Sequence, residues 1–328
     1  MKPSAIRTTL AHLIAQQRPA FLWGAPGVGK SDVVKQTAKD LGLELRDVRL
    51  ALLDPIDLKG FPVVDTLKKK MSWLAADFLP TKGKGILFLD ELNAAVPTVQ
   101  AASYQLILDR AIGDYKLPAG WYVMGAGNRA QDRAVVNEMP SALKSRFIHL
   151  DYDVNVDDWN EWAMVNEIHT DVRAFIRFRP NLLHSHDAAT NPRSFPCPRT
   201  WKFVNDIYKS NLSQDMEFEM IKGTVGEGAS AEFSGFVRLI KDLPTVDEVL
   251  LDPVRARLPA SPAAMYALVT ALDAKVTVAN IARVMSYVER MPTEFQVLFI
   301  RSAMRRDTKL SGTKTYMDWG IKNSNVLV

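Results

Sequence analysis

The sequence predicts an α/β domain built on a doubly wound parallel sheet, followed by a mainly α-helical domain. Short apolar runs at residues 20–23 and 85–89 have the length and composition of strands that are buried on both faces. Helical patterns separate such runs, as the crossover connections of a parallel sheet require. After Tyr152 helical patterning dominates and the alternation stops. We therefore expect residues 1–152 to form the α/β domain and residues 153–328 the helical one.

The first predicted strand leads into a glycine-rich loop that suits a phosphate group. The pattern G-x-x-x-x-G-K-S/T is formed by Gly24, Ala25, Pro26, Gly27, Val28, Gly29, Lys30 and Ser31. Glycines permit the tight turns that aim backbone N–H groups inward, and the helix that follows adds its positive N-terminal end. Lys30 is expected to contact the β- and γ-phosphates, and the Ser31 hydroxyl to bind Mg²⁺. This segment predicts a nucleotide site.

A second motif follows the apolar run at residues 85–89, which ends in Asp90 and Glu91. Ligands of an open parallel sheet bind beyond the carboxyl ends of its strands, so both carboxylates are expected beside the glycine-rich loop. Asp90 suits Mg²⁺, directly or through water, and Glu91 suits activation of the water that attacks the γ-phosphate. An Asp-Glu pair alone also fits a solvated strand end. The loop upstream favours the catalytic interpretation.

A third predicted strand, at residues 121–126, is followed by an amide side chain at Asn128. An amide both donates and accepts hydrogen bonds, which suits holding a water against the γ-phosphate. Further on, residues 139–147 indicate a short helix capped by Ser141 and ending in Arg146. An arginine at this position is expected to face outward from the nucleotide pocket.

These segments, taken in order and at these spacings, resemble the AAA+ ATPases; they are residues 24–31, 87–93, 127–128 and 145–147. The resemblance implies ATP as substrate and Mg²⁺ as cofactor, with Asn128 as sensor 1. It also implies that Arg146 is the arginine finger that reaches the γ-phosphate of a neighbouring subunit. Hydrolysis would then require a homo-oligomeric ring or at least a dimer, and a hexamer is what the family resemblance implies.

Within the AAA+ ATPases the sequence resembles the MoxR and CbbQ/NorQ group and its dynein-related relatives in bacteria and phages. Residues 54–60 look like the D-x-x-D-L-x-G segment of that group. Two predicted β-hairpin inserts, near residues 60–74 and 110–117, occupy the places where members of the group carry pore-facing hairpins. Residues 194–201 resemble the segment that bears sensor 2, which makes Arg199 the candidate. The chain departs from the MoxR pattern at Arg129, where that pattern has proline.

Length and composition indicate a globular protein of the cytoplasm. The chain has 328 residues, of which 47% are hydrophobic, and this is ample for two domains of about 150 residues each. A single cysteine, Cys197, excludes an internal disulfide and fits a reducing compartment. No apolar stretch reaches the ~20 residues of a membrane span, and the N-terminus does not have the pattern of a signal peptide. We expect a soluble, cytoplasmic protein with no membrane partner.

Three functions of different classes are compatible with these residues. The resemblance favours an ATP-driven remodeller or chaperone that activates or assembles a protein client, and it implies a client with a von Willebrand A domain. The alternative is a nucleic-acid-dependent motor or a restriction-type NTPase subunit, indicated only by lysines at 68–70, 82 and 84, since a net charge of +4 argues little for nucleic acid. A non-hydrolysing nucleotide switch is disfavoured by Glu91, Asn128 and Arg146. The sequence does not distinguish ATP from GTP as the nucleotide substrate.

Overall fold

The computed structural model describes residues 1–65, 70–132, 137–186, 193–210, 212–241 and 243–323. Two compact units divide the chain, Met1–Asn155 and Val156–Val328. Of the lysine run at 68–70, Lys68 and Lys69 lie outside the described residues, and Lys70 is exposed.

The helices and strands of the first unit follow in chain order. They are α1 Pro3–Ala15, β1 Ala20–Trp23, α2 Lys30–Asp40, β2 Glu44–Arg49, α3 Pro55–Lys59, β3 Phe61–Asp65, β4 Lys70–Leu74, β5 Gly85–Asp90, α4 Pro97–Asp109, β6 Ala111–Ile112, β7 Tyr115–Lys116, β8 Trp121–Gly127, α5 Ser141–Lys144 and β9 Ile148–Asp151. Those of the second unit are α6 Val156–Val165, α7 Thr170–Phe178, α8 Pro198–Tyr208, α9 Gln214–Val225, α10 Glu227–Ile240, α11 Val246–Leu251, α12 Pro262–Lys275, α13 Ile281–Val288, α14 Thr293–Arg306 and α15 Lys314–Lys322.

A five-stranded parallel sheet with the order β2-β5-β8-β1-β9 forms the centre of the first unit. In its register Trp23 of β1 pairs with Gly127 of β8, and Leu89 of β5 pairs with Gly125 of β8. The carboxyl ends of β1, β5 and β8 therefore meet at one edge of the sheet. The glycine-rich loop and the residues that follow β5 and β8 all start from this edge, where ligands of such sheets bind.

Helices cover both faces of this sheet, because successive strand side chains point to opposite faces. On β5, Ile86 and Phe88 pack with α1 and α2, whereas Leu87 and Leu89 pack with α4. All four side chains are fully buried, as the apolar run predicts for a strand between two helical layers. The predicted doubly wound parallel sheet is confirmed, and together with the glycine-rich loop after β1 it forms a P-loop NTPase fold.

Two antiparallel hairpins extend from the first unit. Strands β3 and β4 pair Phe61 with Leu74, and strands β6 and β7 pair Ala111 with Lys116. The first hairpin exposes a set of large apolar side chains, with 66%, 79%, 58% and 59% of the surface accessible at Phe61, Val64, Met71 and Leu74. Exposed apolar side chains in this concentration are typical of surfaces that bind proteins.

The D-x-x-D-L-x-G segment has a structural role before the first hairpin. Asp54 is the N-cap of α3, and its backbone N–H donates to the Asp57 carboxylate over 2.8 Å. Gly60 ends the helix at φ +88°, and a Cβ there would lie 1.9 Å from the Leu74 carbonyl oxygen. The motif therefore begins and ends a short helix and lets β4 pass close to its C-terminus.

The second unit is α-helical in its described part, as the sequence predicts for the region after the sheet. One of its cores gathers buried side chains of α12, α13 and α14, among them Leu272, Val284 and Phe299. No helix in the described ranges is both long and apolar enough to cross a membrane.

One local prediction in the first unit is wrong. Ser141 does not cap α5; it is the first helical residue, and Pro140, with extended backbone angles, is the N-cap. Proline fixes φ but has no side-chain acceptor, so the start of this helix depends on backbone geometry and not on a serine hydroxyl.

Candidate functional site

The loop between β1 and α2 has the backbone shape of a phosphate cradle. Gly27 and Gly29 have φ of +75° and +103°, in the region that favours glycine. The loop is anchored where it begins, because the Gly24 N–H donates to the Gly127 carbonyl at the end of β8 over 3.3 Å. Left-handed turns of this kind let successive N–H groups converge on an anion, and here the loop leads directly into the N-terminus of α2.

Lys30, the first residue of α2 after this loop, has 9% of its surface exposed. Its ammonium donates to the carbonyl oxygens of Gly24 and Ala25, over 2.7 and 3.1 Å, and to Asn128 Oδ1 over 2.9 Å. Lys30, the residue proposed to bind phosphate, and Asn128, the proposed γ-phosphate sensor, are therefore in direct contact. An ammonium has three donors and binds phosphate as a point charge.

Ser31 and Asp90 form the second contact of the site. The Ser31 hydroxyl donates to Asp90 Oδ2 over 2.6 Å, and Asp90 is 7% exposed. Hydroxyl and carboxylate oxygens are hard ligands of the kind Mg²⁺ takes, and Mg²⁺ usually combines one or two such ligands with water and substrate phosphates. No group of three or more His, Cys, Asp or Glu side chains that could hold a metal occurs in the described part of the chain. The donor set at Ser31 and Asp90 thus fits Mg²⁺ that arrives with a nucleotide.

Glu91 follows β5 in a strained backbone conformation. Its φ is +56°, a left-handed value that costs a residue other than glycine about 1–3 kcal/mol. Its N–H donates to Asp90 Oδ1 over 2.9 Å, and its carbonyl accepts from the Ala94 N–H, also over 2.9 Å. Strain of this size persists where the surrounding contacts determine the conformation, and it commonly occurs at active sites.

A third carboxylate beside Asp90 and Glu91 was not among the predicted site residues. Burial raises the pKa of the Asp47 carboxyl, on β2, and the nearby charges of Asp90 and Glu91 raise it further. Residue spacing could not reveal Asp47, because only the parallel pairing of β2 with β5 brings it near the site.

A buried asparagine holds the proposed sensor in place. Asn93 is 3% exposed, and its amide nitrogen donates to the Asn128 carbonyl over 2.7 Å while its Oδ1 accepts from the Asn128 N–H over 3.1 Å. A Cβ on Gly127 would lie 2.1 Å from Asn93 Oδ1, so only glycine fits before Asn128. Asn93 lies inside the 87–93 segment of the resemblance, but the sequence assigned it no role.

The two proposed arginines are placed differently. Arg146 comes two residues after the end of α5 and is exposed, and its side chain has no hydrogen bond or ion pair with any other described residue. Arg199 is exposed in the first turn of α8, in the second unit. The contacts of the first unit therefore bring together Lys30, Ser31, Asp90 and Asn128, and among the described residues they do not include the Arg146 side chain.

Comparison with known proteins places the first unit in a family context. Residues 20–152 match the model for the "ATPase family associated with various cellular activities (AAA)". Midasin of Giardia intestinalis is 26% identical over 185 residues, which cover 53% of this chain and 4% of that protein. The human ATPase family gene 2 protein homolog B is 32% identical over 124 residues, covering 35% of this chain and 15% of that protein. The chain spans only a small part of the length of these curated relatives.

Solved structures with a related shape include two RuvB mutants of Thermotoga maritima, both 18% identical to this chain. One has a TM-score of 0.41 and is matched over 77% of this chain and 76% of its own, and the other has a TM-score of 0.40 over 76% and 75%. The family match contains every predicted site residue from Gly24 to Arg146. Residues 20–152 are therefore similar to the AAA family of ATPases throughout the candidate nucleotide site.

Proposed function

We propose that this protein is an ATP-hydrolysing AAA+ motor of MoxR type that works as a homo-oligomeric ring. One observation carries the proposal: Lys30 contacts Asn128 and Ser31 contacts Asp90, at the edge of the sheet where β1, β5 and β8 end. These are the groups that phosphoryl transfer needs for binding phosphate, holding Mg²⁺ and sensing the γ-phosphate. The match of residues 20–152 to the AAA family supports the same reaction.

Each residue of the site has a separate task in hydrolysis. Lys30 exchanges the carbonyl oxygens of Gly24 and Ala25 for oxygens of the β- and γ-phosphates, and Ser31 and Asp90 would hold Mg²⁺. Bound Mg²⁺ supplies positive charge that neutralises the phosphates. Glu91 accepts a proton from the attacking water, and Asn128 holds that water in line with the γ-phosphate.

A neighbouring copy completes the reaction in this proposal. Arg146, exposed and without a partner among the described residues, reaches the γ-phosphate of the next subunit and stabilises the charge that develops there. Arg199, at the start of α8, is proposed as sensor 2. Loss of the γ-phosphate removes the target of Arg146, so each turnover is expected to shift the subunit interface. A hexamer is the proposed ring.

The proposed client is a protein, and a von Willebrand A domain is the proposed class. The hairpin β3–β4 supports a protein client, because it exposes Phe61, Val64, Met71 and Leu74, and apolar side chains bind proteins better than phosphate backbones. Of the lysines that suggested nucleic acid, Lys70, Lys82 and Lys84 are exposed. DNA is therefore included as a possible stimulator when hydrolysis is measured.

Steady-state hydrolysis of ATP and GTP by wild type and Glu91→Gln tests the proposal, with Glu44→Gln as a control at the opposite end of the sheet. The Glu91 variant is expected to bind ATP as tightly as wild type but to hydrolyse it about 10²–10⁴ times more slowly, the usual contribution of a general base. The control is expected to keep the wild-type rate. Wild-type turnover by Glu91→Gln would show that the base is misassigned. Stimulation by DNA, and by no protein client, would favour the nucleic-acid motor.

A further inference from the structure

Arg129 reaches from the residue after the proposed sensor to the end of the last strand of the sheet. Its Nη2 donates to the Tyr152 carbonyl over 3.1 Å and to Asp153 Oδ1 over 2.9 Å, and its Nε lies 3.4 Å from Asp151 Oδ1. The side chain is 23% exposed. One guanidinium therefore holds three successive residues, and arginine suits this task because its donors form a rigid, planar fork.

The segment that Arg129 holds also packs on the phosphate loop. The Tyr152 N–H donates to the Trp23 carbonyl over 2.7 Å, immediately before the loop begins. A Cβ on Gly24 would lie 3.3 Å from Tyr152 Cβ, and a Cβ on Gly29 would lie 3.4 Å from the Tyr152 hydroxyl oxygen. Tyr152 thus runs along the loop from its first glycine to its last. A displacement of Tyr152 would therefore change the packing around the phosphate-binding loop.

Asn128 is held on several sides by these contacts. Asn93 bonds both backbone groups of Asn128, and the Lys30 ammonium bonds its side chain. Arg129, the next residue along the chain, connects this arrangement to Asp153, three positions before the second unit begins at Val156. The hydrogen bond from Arg129, together with a smaller effect of the N-terminal ammonium of Met1 at 3.1 Å from Asp153 Oδ2, holds the pKa of the Asp153 carboxyl below its usual range.

We propose that Arg129 is a positioning residue that couples Asn128 to residues 151–155, so that the state of the γ-phosphate changes the order of the segment leading to the second unit. This inference rests on the proposed ATPase function and deepens it. A change at Asn128 moves the backbone of Arg129, and the three contacts of the guanidinium pass that movement to Asp151, Tyr152 and Asp153. The departure from the MoxR pattern at Arg129 is then functional, since proline has no side chain that could make these contacts.

Hydrogen exchange measured by mass spectrometry tests the coupling in the full-length chain, with and without Mg²⁺ and ATPγS. Wild type is expected to show nucleotide-dependent protection at residues 151–155. Arg129→Ala is expected to bind ATPγS within about threefold of wild type, to lose that protection and to lose about tenfold in kcat with little change in KM, as expected for one charge-assisted contact that matters in turnover. Arg129→Lys keeps the charge but not the fork and should fall between the two.

Two further variants separate coupling from general damage to the fold. Arg7→Ala is the matched control, because Arg7 forms an ion pair with Asp40 elsewhere on the first unit; it should leave kcat and the exchange pattern unchanged. Asp153→Asn keeps a hydrogen-bond acceptor but loses the charge, so it should also reduce the nucleotide-dependent protection of residues 151–155. This variant tests the coupling if Arg129→Ala does not fold. Expressed as a free energy, the loss of kcat in the double variant Arg129→Ala/Asp153→Asn should be smaller than the sum of the losses in the two single variants.

The results distinguish a failure of this inference from a failure of the proposed function. A wild-type chain that neither binds ATPγS nor hydrolyses ATP would refute the ATPase assignment, and the coupling with it. A wild-type chain that does both, together with an Arg129→Ala variant whose kcat and nucleotide-dependent protection are unchanged, would overturn only the role of Arg129.

Discussion

Replacing Asn93 with leucine is expected to damage catalysis without removing any group that touches the nucleotide. Leucine has the same number of side-chain heavy atoms as asparagine and the same branching, but it makes neither of the hydrogen bonds to the Asn128 backbone, which are 2.7 and 3.1 Å long in the native site. Removing one partner of a buried hydrogen bond costs about 1–3 kcal/mol, and Asn93→Leu removes the partner of both the N–H and the C=O of Asn128. A loss of about 2–6 kcal/mol in the free energy of unfolding follows.

The effect on turnover should exceed what this loss of stability explains. Without the two hydrogen bonds from Asn93, Asn128 is free to move relative to Lys30. A displacement of about 1 Å of a positioning group can lower the rate by a factor of about 10². We expect kcat for ATP to fall by about that factor, while the dissociation constant for ATP changes by less than about tenfold, because the phosphate loop keeps its own contacts.

Asn205→Leu is the matched control for this variant. Asn205 is also 3% exposed and makes two hydrogen bonds, accepting from the His169 N–H and donating to Asp206, but it lies in the second unit. Denaturant unfolding and steady-state ATPase assays on both variants give the comparison. We expect both variants to lose the same free energy of unfolding. Only Asn93→Leu should lower kcat. Equal falls in kcat for both variants would refute the reasoning, because they would trace the effect to stability alone.

Two other predictions concern the phosphate ligand and the acid limb of stability. Lys30→Ala should weaken ATP binding by at least about 10²-fold in calorimetry, whereas Lys35→Ala, exposed on the same helix, should not; similar affinities would contradict the loop assignment. Asp153 has a depressed pKa in the folded state, so its contribution to stability is complete above its unfolded pKa of about 3.9 and is lost as the pH falls through the lower, folded value. The difference in Tm between wild type and Asp153→Asn should therefore narrow from about pH 6 to about pH 3. A difference that stays constant would show that the ion pairs of Asp153 with Arg129 and with the N-terminal ammonium do not cause it.

The sequence was sufficient for the sheet and for the order of the motifs, for physical reasons. A phosphate loop requires glycines and a lysine at fixed spacing, as at Gly24, Gly29 and Lys30, and a strand buried on both faces must be apolar throughout, as at residues 85–89. Both requirements act within a few residues, so they are visible in the chain. The same holds for the helical character of the region after Tyr152.

Contacts between distant segments could not be predicted in this way. Asn93 meets Asn128 across 35 positions and Arg129 meets Asp153 across 24, and nothing in the local pattern selects these partners. The left-handed backbone of Glu91 is imposed by its surroundings and contradicts its own preference. The cap predicted at Ser141 was wrong because serine within a first turn and serine before it look alike in a sequence.

Mixing Arg146→Ala with Lys30→Ala at varied ratio, at constant total protein, tests the shared site most directly. Arg146 is exposed and its side chain makes no hydrogen bond or ion pair with another described residue, so the variant should fold and assemble normally. If Arg146 completes the site of a neighbouring subunit, each variant alone will be inactive, and the mixture will regain ATPase activity because an Arg146→Ala site receives Arg146 from a Lys30→Ala neighbour. A mixture that stays inactive, or an Arg146→Ala variant that is active alone, would contradict the ring mechanism.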